Sequence, residues 1–461
     1  MPFAPRFFLA STASSLRAAS VSVAALVLAA GVAEARIVPR QTAQMAGLTR
    51  AWYTQAAIDT ATQTVTGAVV QDGAVYVLSS AGTLQAFDAE TGAVSWTARL
   101  GERFLPVYGP TVHRTTKVTD EATEVINTRC AITVGSALHV VDADSGALVF
   151  TQKLDGAPAA APALGDKYAF VANVAGRLTA YPTDPDKGVS FSIASPGLLD
   201  GAPVLSDGRV IWRTARGEVY AASAETRGPS YRFDAAAPLT GAPVTESGQM
   251  YFATNQGVVQ AMTAEKARSI WRTSVGGKIH DSVIIAAETV YVACDEPRLY
   301  ALDAASGRER WRVEGLDEFV SASEDRVYAV APSGALGVLE RQTGRPLASW
   351  PSISGLTPVP NTQTDRLYFI SAEGLLQCFH EEGRDKPYRH DGMVDEPETP
   401  AADTVAEEAP AVEAEEDAVD PFAVDPVDEP ADEPVVDEGF DPFAPSGDTD
   451  DAADDDPFAD F

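Results

Sequence analysis

An internal repeat of about 40 residues constrains this chain most, because such periods are found in propellers and solenoids. The clearest copy, residues 74–96 (AVYVLSSAGTLQAFDAETGAVSW), contains two strands around a Gly turn, then an Asp-x-x-x-Gly turn and a strand with a Trp. Six of the seven intervals between copies are 37 to 41 residues, and the one between the first two copies is 54. The first apolar residues after the Gly turns are Leu84, Leu138, Leu178, Val219, Val259, Leu299, Leu336 and Leu376.

The copies have the composition of β-strands rather than helices. Runs such as 75–78, 290–292 and 367–370 consist mainly of β-branched and aromatic residues, which favour strands. Four short strands per 40 residues are typical of one propeller blade. The sequence therefore predicts an all-β fold, an eight-bladed β-propeller of four-stranded antiparallel blades, over residues 51–390.

The Asp-x-x-x-Gly turn and the strand after it form a motif. Gly permits a positive φ, Asp can accept backbone N–H groups in the turn, and the Trp is predicted to pack between blades. The motif residues are Asp88, Gly92 and Trp96; Asp142, Gly146 and Phe150; Trp271; Asp303, Gly307 and Trp311; and Gly344 and Trp350. This motif resembles the blade motif of the pyrroloquinoline-quinone-like (PQQ-like) β-propeller repeat family. The predicted architecture of the chain resembles that of the propeller subunit of the outer-membrane barrel assembly machinery.

Two residues are candidates for closing the ring. Trp52 lies in a motif-like run, residues 49–53, before the first full copy, and we expect it to supply the outer strand of the last blade. Tyr388 is the alternative, because it follows Leu376 by the same spacing as Trp96 follows Leu84.

The first 35 residues have the features of a secretory signal. Arg6 and Arg17 are basic, residues 18–32 are apolar, and Ala33-Glu34-Ala35 provides a cleavage site. The apolar run is shorter than the ~20 residues of a spanning helix. We therefore expect a signal peptide over 1–35, a linker over 36–50, no transmembrane segment after cleavage, and a periplasmic or extracellular protein. The first cysteine is Cys130, which argues against lipid attachment near the cleavage site.

Acidic residues are concentrated at the C-terminus. Residues 391–461 contain 27 Asp and Glu and no Lys or Arg, out of 66 acidic and 34 basic residues in the chain. This composition predicts a disordered acidic tail rich in Pro and Asp. Asp-Pro-Phe occurs three times in it, at 420–422, 441–443 and 456–458, either as docking motifs or as low-complexity sequence. A net charge of -32 argues against nucleic acid as a partner.

The sequence contains no recognisable catalytic, cofactor-binding or metal-binding residues. Quinoprotein dehydrogenases, which resemble this chain in their predicted fold, bind calcium, use a catalytic Asp and often carry adjacent cysteines. Here Cys130, Cys294 and Cys378 lie in three different copies and are predicted to be buried strand residues. The His280-Asp281 pair is a candidate for a propeller face, and its simplest interpretation is surface polarity.

The 54-residue interval contains about a dozen extra residues, 113–124, between the first two strands of copy two. They are predicted to lengthen a hairpin on the face that carries the Asp-x-x-x-Gly turns. The insertion is either a tolerated surface loop or a partner contact, with His113, Arg114 and Lys117 as the contact residues.

These features favour a non-catalytic, monomeric, exported scaffold of the bacterial envelope, without a cofactor, that engages a protein or polymer through a propeller face. The alternative is a quinone-dependent oxidoreductase or another propeller enzyme. Quinone absorbance in the purified protein would distinguish the two.

The tail prediction leads to a truncation test. A chain ending at His390 should unfold thermally within about 1–2 °C of the full chain, because like charges cannot pack on one another. The measurement is calorimetry of both chains in the same buffer. A large loss of stability on truncation would contradict the charge argument.

Overall fold

The computed structural model describes residues 37–118, 123–184, 186–226, 228–351 and 355–390. Within these ranges the chain forms one short helix and 32 strands, arranged as eight four-stranded sheets with antiparallel neighbours. The predicted eight-bladed propeller is confirmed. Among these residues, no helix is long and apolar enough to cross a membrane. The predicted signal peptide (1–35) and the acidic tail (391–461) lie outside the described residues.

Seven blades are continuous in sequence, and each runs from an inner to an outer strand. Blades 1 to 4 consist of β2 (Val65–Gln71), β3 (Ala74–Ser79), β4 (Thr83–Asp88), β5 (Val94–Arg99); β6 (Val107–Val118), β7 (Thr123–Val134), β8 (Ala137–Asp142), β9 (Leu148–Lys153); β10 (Ala163–Leu164), β11 (Tyr168–Ala172), β12 (Arg177–Pro182), β13 (Phe191–Ala194); β14 (Val204–Ser206), β15 (Arg209–Arg213), β16 (Glu218–Ser223) and β17 (Pro229–Asp234). Blades 5 to 7 consist of β18 (Val244–Glu246), β19 (Gln249–Thr254), β20 (Val258–Thr263), β21 (Ser269–Ser274); β22 (Ile284–Ala286), β23 (Thr289–Cys294), β24 (Arg298–Asp303), β25 (Glu309–Glu314); β26 (Glu318–Ala322), β27 (Arg326–Val330), β28 (Leu336–Glu340) and β29 (Pro346–Trp350).

Blade 8 combines both ends of the folded chain. Its first three strands are β30 (Leu356–Val359), β31 (Leu367–Ser371) and β32 (Leu375–Glu381), and its outer strand is β1 (Leu48–Gln55). Trp52 lies on β1 and pairs with Cys378. The structure therefore places Trp52, and not Tyr388, in the outer strand; the Tyr388 N–H instead donates to Asp365 Oδ1 at 3.0 Å.

The antiparallel order defines two faces of the ring. The turns between the first and second strands and between the third and fourth strands of each blade lie on one face, which we call the turn face. The turns between the second and third strands and the connections between blades lie on the other, the connection face. The Asp-x-x-x-Gly turns are on the turn face.

Neighbouring blades meet at seams, and four seams share one contact. The outer-strand indole of one blade packs on the turn Gly of the next blade. Its N–H donates to the backbone carbonyl of the residue that follows the acidic residue of that turn. These bonds are Trp52 to Ala89 (3.0 Å), Trp96 to Ala143 (2.8 Å), Trp271 to Ala304 (2.8 Å) and Trp311 to Arg341 (2.7 Å). A Tyr on the second strand lies 6.1 Å from each indole; these residues are Tyr368, Tyr76, Tyr251 and Tyr291.

Both the conformation and the space at the turn require Gly. Gly92 has a φ of 70°, and a Cβ there would lie 2.4 Å from the indole of Trp52. Asp88 Oδ1 accepts the N–H (2.8 Å) and the hydroxyl (2.6 Å) of Thr91, which holds the turn. In blade 6 the hydroxyl of Ser306 and the guanidinium of Arg310 lower the pKa of Asp303 to about 2, so this turn acid is ionised at neutral pH.

Trp350 does not occupy the shared Trp position, which corrects the sequence-based alignment. In blades 1, 5 and 6 the outer-strand Trp lies four residues after the turn Gly or its equivalent. In blade 7 the residue four positions after Gly344 is Ala348. Trp350 lies two residues further along the strand and pairs with Leu336. It is nonetheless fully buried, edge-on to Phe369 and Phe379.

The folded unit starts upstream of the predicted boundary at residue 51. The helix α1 (Arg40–Met45) and the start of β1 occupy most of the predicted linker. Ala43 and Leu48 are fully buried in the core cluster that contains Trp350. The helix has no side-chain cap, and this apolar contact stabilises it.

A buried arginine joins blade 8 to blade 1. Arg366 is 1% exposed and binds Glu90 in the turn of blade 1 at 3.1 Å. The same guanidinium donates to the carbonyls of Arg384 and Asp385 in the segment after β32. The first and last blades are therefore linked by charge as well as by the outer strand.

The seam contact predicts a large loss of stability when an indole is removed. Trp311→Ala should lower the free energy of unfolding by about 3–5 kcal/mol, because a buried ring and its hydrogen bond are lost. Chemical denaturation measures the loss. Arg312→Ala, at the exposed neighbouring position, is the matched control and should change little. Equal stability of the two variants would show that the seams do not hold the ring together.

Candidate functional site

The most distinctive feature of the turn face is the first hairpin of blade 2. β6 and β7 are each 12 residues long, and the extra residues extend the hairpin beyond β8, as the sequence predicts. Val125 and Ile126, on the extended part of β7, are 46% and 56% exposed. The hairpin therefore projects polar and apolar side chains from the turn face.

Side chains on β6 bind both neighbouring blades. His113 Nε2 lies 2.9 Å from Asp166 Oδ1 of blade 3, and the Thr115 hydroxyl donates to the same oxygen at 2.7 Å. Burial opposes ionisation of Asp166, but the hydrogen bonds from Thr115 and His113 outweigh it and lower its pKa. Arg114 points the other way and binds Asp72 of blade 1 at 3.1 Å. The hairpin base is thus held from both sides.

The predicted contact residues differ in what they offer to a partner. His113 and Arg114 are partly buried, and both are engaged, His113 in its hydrogen bond to Asp166 and Arg114 in its ion pair with Asp72. The Lys117 side chain lies outside the described part of the chain. A partner contact at these three residues stays a prediction.

Two cavities lie beside the hairpin, on either side of the first turn of blade 3. The cavity between blades 2 and 3 has a volume of about 460 Å³ and is lined by Arg129, Lys167, Thr183 and Lys187, among others. The cavity between blades 3 and 4 has a volume of about 210 Å³, and His113 is part of its wall. The hairpin and both cavities form one continuous region, which we call the blade 3 surface.

An acidic group lies at the start of the inner strand of blade 7. Glu318 is partly buried, and burial, with the charges of Asp317 and Asp281, raises its pKa to about 7. His280 is exposed and lies 3.5 Å from Asp295, so the His280-Asp281 pair is on the connection face without a bond between its two members. Within the described ranges, no group of three or more His, Cys, Asp or Glu residues is arranged to hold a metal ion.

The three cysteines are separate, buried and reduced. Burial raises the pKa of Cys130 to about 12 and that of Cys294 to about 11, and it also raises that of Cys378. Thiols with raised pKa values are poor nucleophiles at neutral pH. Their position agrees with the interpretation as small core residues.

The sequence reasoning missed the tyrosines that face the indoles and the two cavities. The signal for the tyrosines was present, since Tyr recurs in the second strand of most copies, as in Tyr76, Tyr251 and Tyr291. The cavities lie at two seams where both rings are replaced, and this becomes visible only when the strand register is known.

A family model described as "Outer membrane protein assembly factor BamB" matches residues 42–126 and 183–384. The chain belongs to this PQQ-like propeller family. The segment 127–182, which includes most of blade 3, lies outside the match.

Solved structures share the fold at low sequence identity. BamB from Moraxella catarrhalis is 16% identical, with a TM-score of 0.54 over 72% of this chain and 97% of that one. The computationally designed Ika8 protein is 11% identical, with a TM-score of 0.52 over 69% of this chain and 96% of that one. No curated protein sequence matches the chain.

The raised pKa of Glu318 predicts a pH-dependent stability. The folded state keeps the Glu318 proton between pH ~4.5 and ~7 while the unfolded state loses it, so this group lowers stability as pH rises through that window. Glu318→Gln should match the wild type near pH 4 and be more stable at pH 8, by at most about 3 kcal/mol. Thermal melts at both pH values measure this.

The exposed Glu314→Gln is the matched control and should show no pH-dependent gain. If Glu318→Gln gave the same difference from wild type at both pH values, its burial would not be the cause.

Proposed function

We propose that this protein is a non-catalytic scaffold of the bacterial envelope that binds a partner protein through the blade 3 surface. The observation that carries the proposal is the family match over both halves of the propeller. The family description refers to outer-membrane protein assembly, and a partner in that process fits an exported propeller. On this proposal the protein works in the periplasm as a monomer without a cofactor.

The hairpin favours the turn face as the contact. It is the longest pair of strands in the described propeller, and its base is held by an ion pair to blade 1 and by hydrogen bonds to blade 3. A braced projection loses little conformational entropy when a partner binds it. Loops that project from a rigid scaffold commonly carry binding function.

The connection face is the competing surface. There Phe104 is 99% exposed, and Val174 and Leu198 are 62% and 63% exposed. Single exposed apolar residues are common on folded proteins, so these three side chains support an interface less strongly than the hairpin does.

The test uses the full chain in the bacterium that encodes it. Deleting the gene should lower the amount of β-barrel proteins in the outer membrane. The wild-type chain should restore that amount and should crosslink to a component of barrel assembly. A double variant, His113→Ala with Arg114→Ala, should lose both effects while its melting temperature shows that it is folded.

The control is Phe104→Ser with Leu198→Ser on the connection face, which should behave as wild type. If only this control lost the crosslink, the turn face would be the wrong contact. If deletion left the outer-membrane proteins unchanged, the scaffold role itself would be refuted. Dye reduction with added quinone and calcium would support the alternative, an oxidoreductase.

A further inference from the structure

At the four seams that contain an indole, the propeller buries the same pair of side chains, a Tyr on the second strand and a Trp on the outer strand. In the seam between blades 1 and 2, Tyr76 pairs with Ala86, and Ala86 pairs with Trp96. The same Tyr–Trp pair, with both rings on one blade, lies at three other seams, and its ring centroids are 6.1 Å apart each time. The position therefore has a defined shape and a defined hydrogen-bond acceptor.

The seam between blades 3 and 4 has smaller rings at these register positions. Phe170 pairs with Ala180, and Ala180 pairs with Phe191. Phenylalanine thus replaces both tyrosine and tryptophan, and neither ring has a polar hydrogen. Trp212 of blade 4 packs in the same cluster as Phe170 and Phe191, but a cavity of about 210 Å³ is left at the turn face.

The smaller cavity is lined by Ala224, which is equivalent to the residues whose carbonyls accept an indole N–H at the filled seams. The Ala224 N–H donates to the Gly208 carbonyl at 2.8 Å, and both residues line the cavity. In blade 1 the Ala89 N–H donates to the Gly73 carbonyl in the same way, at 2.9 Å. Ala224 is therefore equivalent to Ala89, the acceptor for Trp52.

The seam between blades 2 and 3 repeats the pattern. Ala131 pairs with Val140, and Val140 pairs with Phe150, so Ala and Phe stand where Tyr and Trp are elsewhere. The Thr183 N–H donates to the Lys167 carbonyl at 3.0 Å, which makes Thr183 the equivalent of the acceptor residue. Both line the cavity of about 460 Å³.

The rim of the larger cavity carries more positive than negative charge. Arg129, Lys167 and Lys187 line it together with Asp166 and Asp184. Asp184 is paired with Lys187 at 2.7 Å, and Asp166 accepts from the hairpin. Lys167 pairs with Glu225 at 2.8 Å, so Arg129 is the basic residue that can face an acidic group beside an inserted ring.

We propose that the two cavities bind aromatic side chains, indole best of all, from an extended segment of a partner protein. The inserted ring takes the place that an outer-strand tryptophan fills at the other seams and donates its N–H to the carbonyl of Ala224 or Thr183. The inference rests on the proposed role as a protein-binding scaffold and specifies what the partner presents. It also accounts for the location of the cavities at the edge of the segment outside the family match.

The size of the smaller cavity favours a side chain over a free ligand. Small-molecule sites usually measure about 300–1,000 Å³. A cavity of about 210 Å³ is below that range and suits a single ring. The second, larger cavity lies on the same surface, so one segment can insert two rings, and the two weak contacts then reinforce each other.

The experiment uses the full chain and the neutral peptide acetyl-Ser-Trp-Ser-amide, and amide NMR shifts report binding. The peptide should bind with a millimolar Kd, about what one ring can supply. It should shift the amides of Ala224 and Thr183. The same peptide with Ala in place of Trp should bind at least about tenfold more weakly.

Two variants exchange an empty seam for a filled one. Phe191→Trp should supply the missing indole from within and abolish the shift at Ala224, while the shift at Thr183 persists. Leu205→Phe, which fills the same cavity from blade 4, is the second variant in case the first fails to fold. Trp271→Phe with Tyr251→Phe should empty a filled seam and create a new shift at Ala304.

Absence of shifts in the wild-type protein, or equal binding of the Ala peptide, would overturn the inference. So would peptide binding that both filling variants leave unchanged. If the peptide failed while the barrel-assembly crosslink remained, only this inference would be refuted, because the scaffold role depends on the crosslink and on complementation.

Discussion

The ring depends on the packing of an outer-strand indole against the turn glycine of the next blade. The strands of each blade are held together by backbone hydrogen bonds, and only a few such bonds, for example from the Val65 N–H to the Ala372 carbonyl, join one blade to another. Side chains therefore supply most of the contact between blades. At four seams one indole does this by ring burial, by contact with a Gly that has no Cβ, and by one N–H bond to a carbonyl. The Gly in the repeated turn leaves the space that the indole occupies.

Where this contact is missing, the chain uses other means or leaves space. Between blades 7 and 8 the shifted Trp350 and the helix α1 fill the seam. Between blades 2 and 3 and between blades 3 and 4 the rings are smaller, and cavities remain beside the long hairpin. The two cavities and the long hairpin coincide in one sector of the ring, blades 2 to 4, so we interpret that sector as the specialised part of a regular scaffold.

Most of the fold could be predicted because period and strand composition are local properties of a sequence. The copy number and the extended hairpin followed from spacing, and the use of Trp52 followed from the motif-like run around it, whereas spacing favoured Tyr388. Trp350 was misplaced because its distance from Gly344 was not compared with that in the other copies. Helix α1 was missed because six largely polar residues without a cap carry no helical period.

The candidate site was harder to predict than the fold. Contacts such as Arg366 with Glu90 join residues 276 positions apart, and no local pattern indicates them. The cavities depend on which residues are opposite one another across two sheets, and blade 3 has an irregular turn that hides this register. His113 could be singled out from the insertion, but its bond to Asp166 could not.

The composite eighth blade has a consequence for how the protein is made. β1 is synthesised first, yet its partner β32 is synthesised last, with Leu48 opposite Glu381. Seven blades can be complete while β1 still has an open edge, and closing so long a loop is slow. Open strand edges promote aggregation. The nascent chain is therefore most vulnerable just before β32 emerges, and a chaperone would be most effective at that stage.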